Sequence, residues 1–138
     1  RHRALALRLP QPSVTVLAHV DSLGIVLANL LSNAWRHGGE DARVDLSVEQ
    51  SDGQTTVTVT DDGPGVSAQV LEGLGRRMER TDRSHSGDGL GLGLALSSEL
   101  ASQMGAGLRF ESPPAGREHG FAAILTLRPA RDQIARRP

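Results

Sequence analysis

Apolar positions change period several times along this chain, and each change marks an element. Leu23, Val26, Leu27, Leu30, Leu31 and Ala34 recur at helical spacing after Asp21, a good N-cap, until Gly38-Gly39 stops the run. That spacing predicts a helix of about four turns. Val44, Leu46 and Val48 then alternate with polar residues, as do Val57 and Val59, and Ser51-Asp52-Gly53-Gln54 joins the two runs as a hairpin turn. A short helix is expected from Ser67 to Leu74, followed by a mobile polar loop over residues 75–89, where no apolar period exists. Leu92, Leu96, Leu100 and Met104 mark a second long helix, closed at Gly105. Residues 107–112 and 121–129 read as two further strands. Near the start, residues 4–9 and 14–18 are β-prone runs separated by Pro10 and Pro12, which cannot donate to a central ladder, so both are expected as edge strands.

The order β, β, α, β, β, loop, α, β, β predicts an α+β fold, a two-layer sandwich of a mixed sheet packed against helices. A length of 138 residues fits one domain, taken as 1–128, with 129–138 as a frayed C-terminal tail.

Composition narrows the chemistry. Arg supplies all 15 Lys+Arg positions, so a P-loop and a eukaryotic-type kinase lysine are excluded. Against 16 acidic residues these leave a formal net charge of −1, which supplies no general field for nucleic acid or an anionic membrane. There is no Cys, hence no thiol nucleophile, and the five His lack the paired spacing of a zinc site. No apolar run approaches the roughly 18 to 20 residues of a bilayer span. Aromatic residues make up 2%, too few for a base-stacking platform, and the core is expected to be aliphatic.

Three short constellations carry candidate chemistry. Asn29 and Asn33 lie four apart on the first helix, so their carboxamides share one stripe, with Arg36 and His37 on the next turn. Amide oxygens and cations on one edge suit a magnesium triphosphate, although the same stripe also fits a solvated helix face. Asp61-Asp62-Gly63-Pro64-Gly65 follows a strand directly. Its glycines let a flat ring approach the backbone and its carboxylate can accept from an exocyclic amine; an ordinary acidic turn has the same composition. Gly87-Asp88-Gly89-Leu90-Gly91-Leu92-Gly93 opens a helix whose free N–H groups form an anion cradle, and a flexible linker is the plain alternative.

In this order the three constellations resemble the N box and two glycine boxes of the ATP-binding catalytic domain of bacterial sensor histidine kinases, in the GHKL superfamily with its Bergerat-type fold. The resemblance covers about residues 4 to 128. It implies that Asn33 ligates Mg²⁺ with help from Asn29, that Asp61 holds the adenine amine, and that Gly63 and Gly65 line the base. It also implies that Gly87, Gly89, Leu90, Gly91 and Leu92 wrap the phosphates, that Arg36 and His37 contact phosphate, and that residues 75–89 form a lid over ATP. The lid departs from the family pattern: in Arg77-Met78-Glu79-Arg80 the usual aromatics are missing and Arg80 alone matches, as a catalytic arginine. The glycine motif before the last strand is reduced to Gly116 and Gly120-Phe121.

Hydrolysing members of the superfamily carry a Glu general base where Asn29 stands. An amide has no basicity at neutral pH, so transfer is expected instead of hydrolysis. The expected reaction moves the γ-phosphoryl of Mg-ATP to a histidine on a dimerisation domain of the same kinase, with Asn29, Arg36 and Arg80 as the catalytic set and a response regulator downstream. None of His2, His19, His37, His85 and His119 has the setting of a phosphoacceptor, so the chain is expected to be the cytoplasmic C-terminal catalytic domain of a longer, membrane-anchored kinase. It would contact neither nucleic acid nor membrane itself. An anti-sigma-factor type serine kinase and a nucleotide-binding pseudokinase remain the alternatives.

Overall fold

The computed structural model describes residues 5–8, 20–39, 41–51, 53–80 and 90–128. Its elements are β1 (Leu5–Arg8), α1 (Val20–Gly38), β2 (Val44–Ser51), β3 (Gln54–Asp61), α2 (Ala68–Arg80), α3 (Leu90–Gln103), β4 (Gly107–Glu111) and β5 (Phe121–Leu127). The strands form a five-stranded sheet in the order β1-β2-β3-β5-β4. β1 runs parallel to β2, and the remaining pairs are antiparallel. This is the expected α+β architecture, with β1 at an edge as the neighbouring prolines require. The run at 14–18 and the tail at 129–138 lie outside the described residues.

Register decides which side chains meet the helices. Leu46 pairs with Val59, Val59 with Ala123 and Ala123 with Phe110; one step along, Val48 pairs with Val57, and Val57 with Leu125. Alternate residues of a strand share a face, so Val57, Val59 and Asp61 of β3 all project to the same side. On that side they join Val26, Leu30 and Ala34 of α1 and Leu94 and Ala101 of α3 in the buried core. α1 packs on β2, β3 and β5, while α3 bridges α1, α2 and β4. The core is aliphatic apart from Phe121, whose ring stacks on Phe110 at a centroid distance of 5.7 Å.

Helix ends follow local chemistry. Ser67 caps α2: its Oγ accepts from the Val70 N–H at 3.2 Å. α3 ends in a Schellman motif, with Ala106 N bonded to Ala101 O at 2.8 Å and Gly105 N to Ser102 O at 3.0 Å.

Three expectations need correction. α1 begins one residue early, so Asp21 sits in its first turn, where a carboxylate complements the helix dipole, instead of capping it. α2 continues to Arg80, so residues 75–80 are helical and not part of a polar loop. The buried face of α3 is Leu94, Ser97 and Ala101, whereas Leu96 is 44% exposed. A small residue and a hydroxyl on the inward face hid that stripe from a count of large apolar side chains.

Leu125 on the central β5 is fully buried. Leu125→Ala should destabilise the domain by about 2–5 kcal/mol, read as a lower urea midpoint with little change in m-value.

Candidate functional site

The site is built around the last residue of β3. Pairing with Val44 on one side and Phe121 on the other carries Asp61 onto the helix-facing side of the sheet, at the end of an apolar row. Its side chain is therefore almost wholly buried, at 1% exposure. Oδ1 accepts from the Gly63 N–H at 2.9 Å, while Oδ2 has no hydrogen-bond partner. Burial pushes the Asp61 carboxyl above the usual carboxylate range, aided by neighbouring Asp62; the Gly63 N–H, His37 and Arg117 act in the opposite direction. A buried acceptor with one unused oxygen is a site that awaits a donor.

Backbone contacts without side chains hold that carboxylate in place. A Cβ on Gly63 would clash with the Gly38 carbonyl oxygen, and one on Gly38 would lie 3.2 Å from the Asp61 Cβ. The end of α1 thus docks directly on the turn after β3. Gly63 lacks positive φ, so close approach, and not backbone conformation, demands glycine there. Gly65 needs both: its φ is 75°, and a Cβ would sit 2.5 Å from the Gly120 carbonyl. Ser112 Oγ donates to that carbonyl at 2.7 Å and accepts from the Val66 N–H at 2.9 Å. His119 Nδ1 lies 3.0 Å from the Gly63 carbonyl, which can only accept, so this nitrogen carries the proton. At the sheet end, the Arg43 N–H donates to Asp62 Oδ1 at 2.7 Å.

From this turn α1 leads away with Asn29, Asn33 and His37 at four-residue intervals, a stripe of about 12 Å by helical rise. His37 is close enough to Asp61 to act on its charge, and its Nε2 is buried without a hydrogen-bond partner. Asn33 is half-buried and Arg36 exposed. At the far end, Asn29 Nδ2 donates to Ser97 Oγ at 3.2 Å and reaches the Gly93 carbonyl at 3.5 Å. The stripe therefore links the first turns of α3 to Asp61.

Asn29, Asn33, His37, Asp61, Gly63 and Gly65 are thereby gathered along one track. His37, for which a phosphate contact is implied, lies near Asp61 in the ligand-free structure. Leu90, Gly91 and Leu92 lie in the first turn of α3, and Arg80 is the last residue of α2. Gly87 and Gly89 lie outside the described residues. Sequence reasoning missed Gly38, Ser97, Ser112 and His119. Gly38 reads in the sequence as a helix stop alone, and the other three give no local signal because their partners are 8 to 68 residues away in the chain.

A mixed sheet backed by helices, with a buried carboxylate at a strand end and an asparagine stripe beside it, defines a Bergerat-type ATP-binding domain. Residues 18–131 match the family described as "Histidine kinase-, DNA gyrase B-, and HSP90-like ATPase", and the chain belongs to that family. It is 38% identical over 118 residues to the C4-dicarboxylate transport sensor protein DctB of Rhizobium meliloti, covering 84% of this chain and 18% of DctB. Among solved structures it is similar to the mycobacterial sensor histidine kinase MprB, with TM-score 0.68, 30% identity and coverage of 91% of this chain and 85% of that one. Full-length ShkA, solved in complex with AMPPNP, gives TM-score 0.71 at 27% identity over 90% of this chain and 25% of that chain. The chain thus spans about a fifth of the length of the curated relatives it matches.

Because the folded state raises the Asp61 pKa, folding stability is lost as pH rises through that raised value. Asp61→Asn keeps an acceptor for the Gly63 N–H and removes the buried charge. At pH 7 it should raise the melting midpoint of the nucleotide-free domain by about 3–6 °C, and the gain should shrink as pH falls toward the usual carboxylate range. Gly65→Ala, strained in φ and in contact, should lower the midpoint.

Proposed function

We propose that this domain binds Mg-ATP and donates its γ-phosphoryl to a histidine on the dimerisation domain of the same kinase. The observation that carries the reading is the buried, unpaired Oδ2 of Asp61, framed by glycine backbone on one side and the end of α1 on the other. Among the described residues that oxygen has no partner, and the exocyclic amine of adenine is a donor that would satisfy it. Gly63 and Gly65 would line the base with backbone alone, since the Gly38 and Gly120 carbonyls already occupy the space a Cβ would take.

Asn29 and Asn33 stand further along α1, where the triphosphate would run. Among the described residues no three His, Asp or Glu gather into a metal-binding group. As the family resemblance implies, Mg²⁺ would be held by the Asn33 carboxamide oxygen, assisted by Asn29, together with water and phosphate oxygens. The ion would supply charge neutralisation at the phosphates. Arg36, exposed on the following turn, and Arg80 at the end of α2 would meet phosphate oxygens. The N–H groups opening α3, with Gly87, Gly89, Leu90, Gly91 and Leu92, would cradle the anion.

In the transfer, an imidazole nitrogen of the acceptor forms a bond to the γ-phosphorus as the bond to the bridging oxygen breaks, its electron pair leaving with ADP; the proton of the imidazole passes to a base of the acceptor domain or to water. Asn29 offers no base for water, and its amide donates to Ser97, which fits transfer better than hydrolysis. The relatives described as sensor and histidine kinases favour histidine over serine as acceptor. A response regulator would receive the phosphoryl next. A cytoplasmic setting follows from the need for ATP; among the described residues no helix is long and apolar enough to cross a membrane.

Calorimetric titration with a non-hydrolysable ATP analogue tests the site. Binding should be magnesium-dependent in the wild type, abolished by Asp61→Asn, and stripped of its magnesium dependence by Asn33→Ala. Incubation with the dimerisation domain and ATP should then label that domain with an acid-labile phosphoryl group. An acid-stable label would assign a serine acceptor instead, and nucleotide binding without any label would leave a pseudokinase.

A further inference from the structure

Ser97 is wholly buried, at 0% exposure, on the face of α3 that meets α1. A buried hydroxyl is costly unless it is hydrogen-bonded, and a helix contact that needed only a small residue would be served by alanine. Its Oγ accepts from Asn29 Nδ2 at 3.2 Å. Gly93, one turn earlier on the same face, offers its carbonyl to the same nitrogen at 3.5 Å. A carbonyl can only accept, so this pair determines which end of the Asn29 carboxamide points at α3. Nδ2 faces the helix, and Oδ1 is left for another partner.

We propose that Ser97 is a positioning residue, which fixes the Asn29 carboxamide with its oxygen available to the hydrated magnesium of the bound nucleotide. The inference rests on the reading of Asn29 as an aid to Mg²⁺ binding. A reversed amide would present two N–H donors where an oxygen is needed, and a cation with its waters is repelled by donors. Ser97 touches neither nucleotide nor metal; it acts through Asn29. It also ties the glycine-opened helix α3 to the asparagine stripe, so the element that presents N–H groups and the element that presents amide oxygens keep one relative position.

Ser97→Thr and Ser97→Val test this. The two side chains have the same shape and differ in the hydroxyl, so packing is matched while the bond is kept or lost. In the 138-residue chain, affinity for the ATP analogue is measured with and without Mg²⁺, and the Asn29 side-chain amide protons are followed by NMR in the nucleotide-free protein. Ser97→Thr should behave as wild type. Ser97→Val should bind with about three- to tenfold lower affinity when Mg²⁺ is present, with Mg²⁺-free affinity unchanged. Its Asn29 amide protons should exchange faster with solvent. If the valine variant matches the threonine variant in both measurements, Ser97 is a packing residue and the proposal is overturned. Wild-type binding that ignores Mg²⁺ would defeat the magnesium reading itself. That result would show in the wild type alone, while the amide exchange of the two variants would still decide whether Ser97 fixes Asn29.

Discussion

The backbone of α1 meets the backbone after β3 at Gly38 and Gly63 with no side chain between them, and the placement of the site depends on that contact. A helix and a strand cannot normally come this close, because their side chains keep them apart by roughly the 10 Å of a packed layer. Glycine on both partners removes the spacer at one point. The end of α1 is thereby pinned beside Asp61, and the asparagines further back along the helix inherit fixed positions relative to that carboxylate. Gly65 and Gly120 repeat the device on the other side of the turn, with Ser112 Oγ tying the two segments together.

Asp61 occupies an apolar row because β-strand alternation puts it there. The cost of burying a carboxylate with one oxygen unpaired is accepted by the rest of the fold, whose aliphatic core is continuous beneath it. Natural sequences depart from local consistency at functional sites, and this departure sits at the end of β3, in the middle of the sheet. The glycine-framed turn holds the carboxylate in place, and the Arg43 backbone N–H, donating to Asp62 Oδ1, ties the residue after it to the start of β2.

Much of this architecture is legible in the chain. Periodicity alone locates α1 and the β2–β3 hairpin, because each has large apolar residues on a single face, while β5 reads as a strand from a nearly continuous apolar run that is buried on both faces. The stripe of Asn29, Asn33 and His37 follows from helical geometry, and the exposed position of β1 from its prolines. What escaped has a common cause. The inward face of α3 is Leu94, Ser97 and Ala101, so its phase is carried by small and polar residues. The partners of Ser97, Ser112 and His119 come from distant parts of the chain, and no local pattern announces a contact made by folding. The same holds for Gly38, whose two roles, ending a helix and admitting a neighbour, have one spelling. The helical extension of α2 through Arg80 is hidden by a run without apolar period, in which propensity for helix and the lack of an apolar stripe in the sequence point in different directions.

Because the asparagines and His37 share one uninterrupted helix, the separation between the two ends of the site is set by the rise of that helix. A rigid rod does not stretch to suit its guest. α1 is in this sense a gauge, and a molecule that satisfies Asp61 at one end is measured against Asn29 at the other.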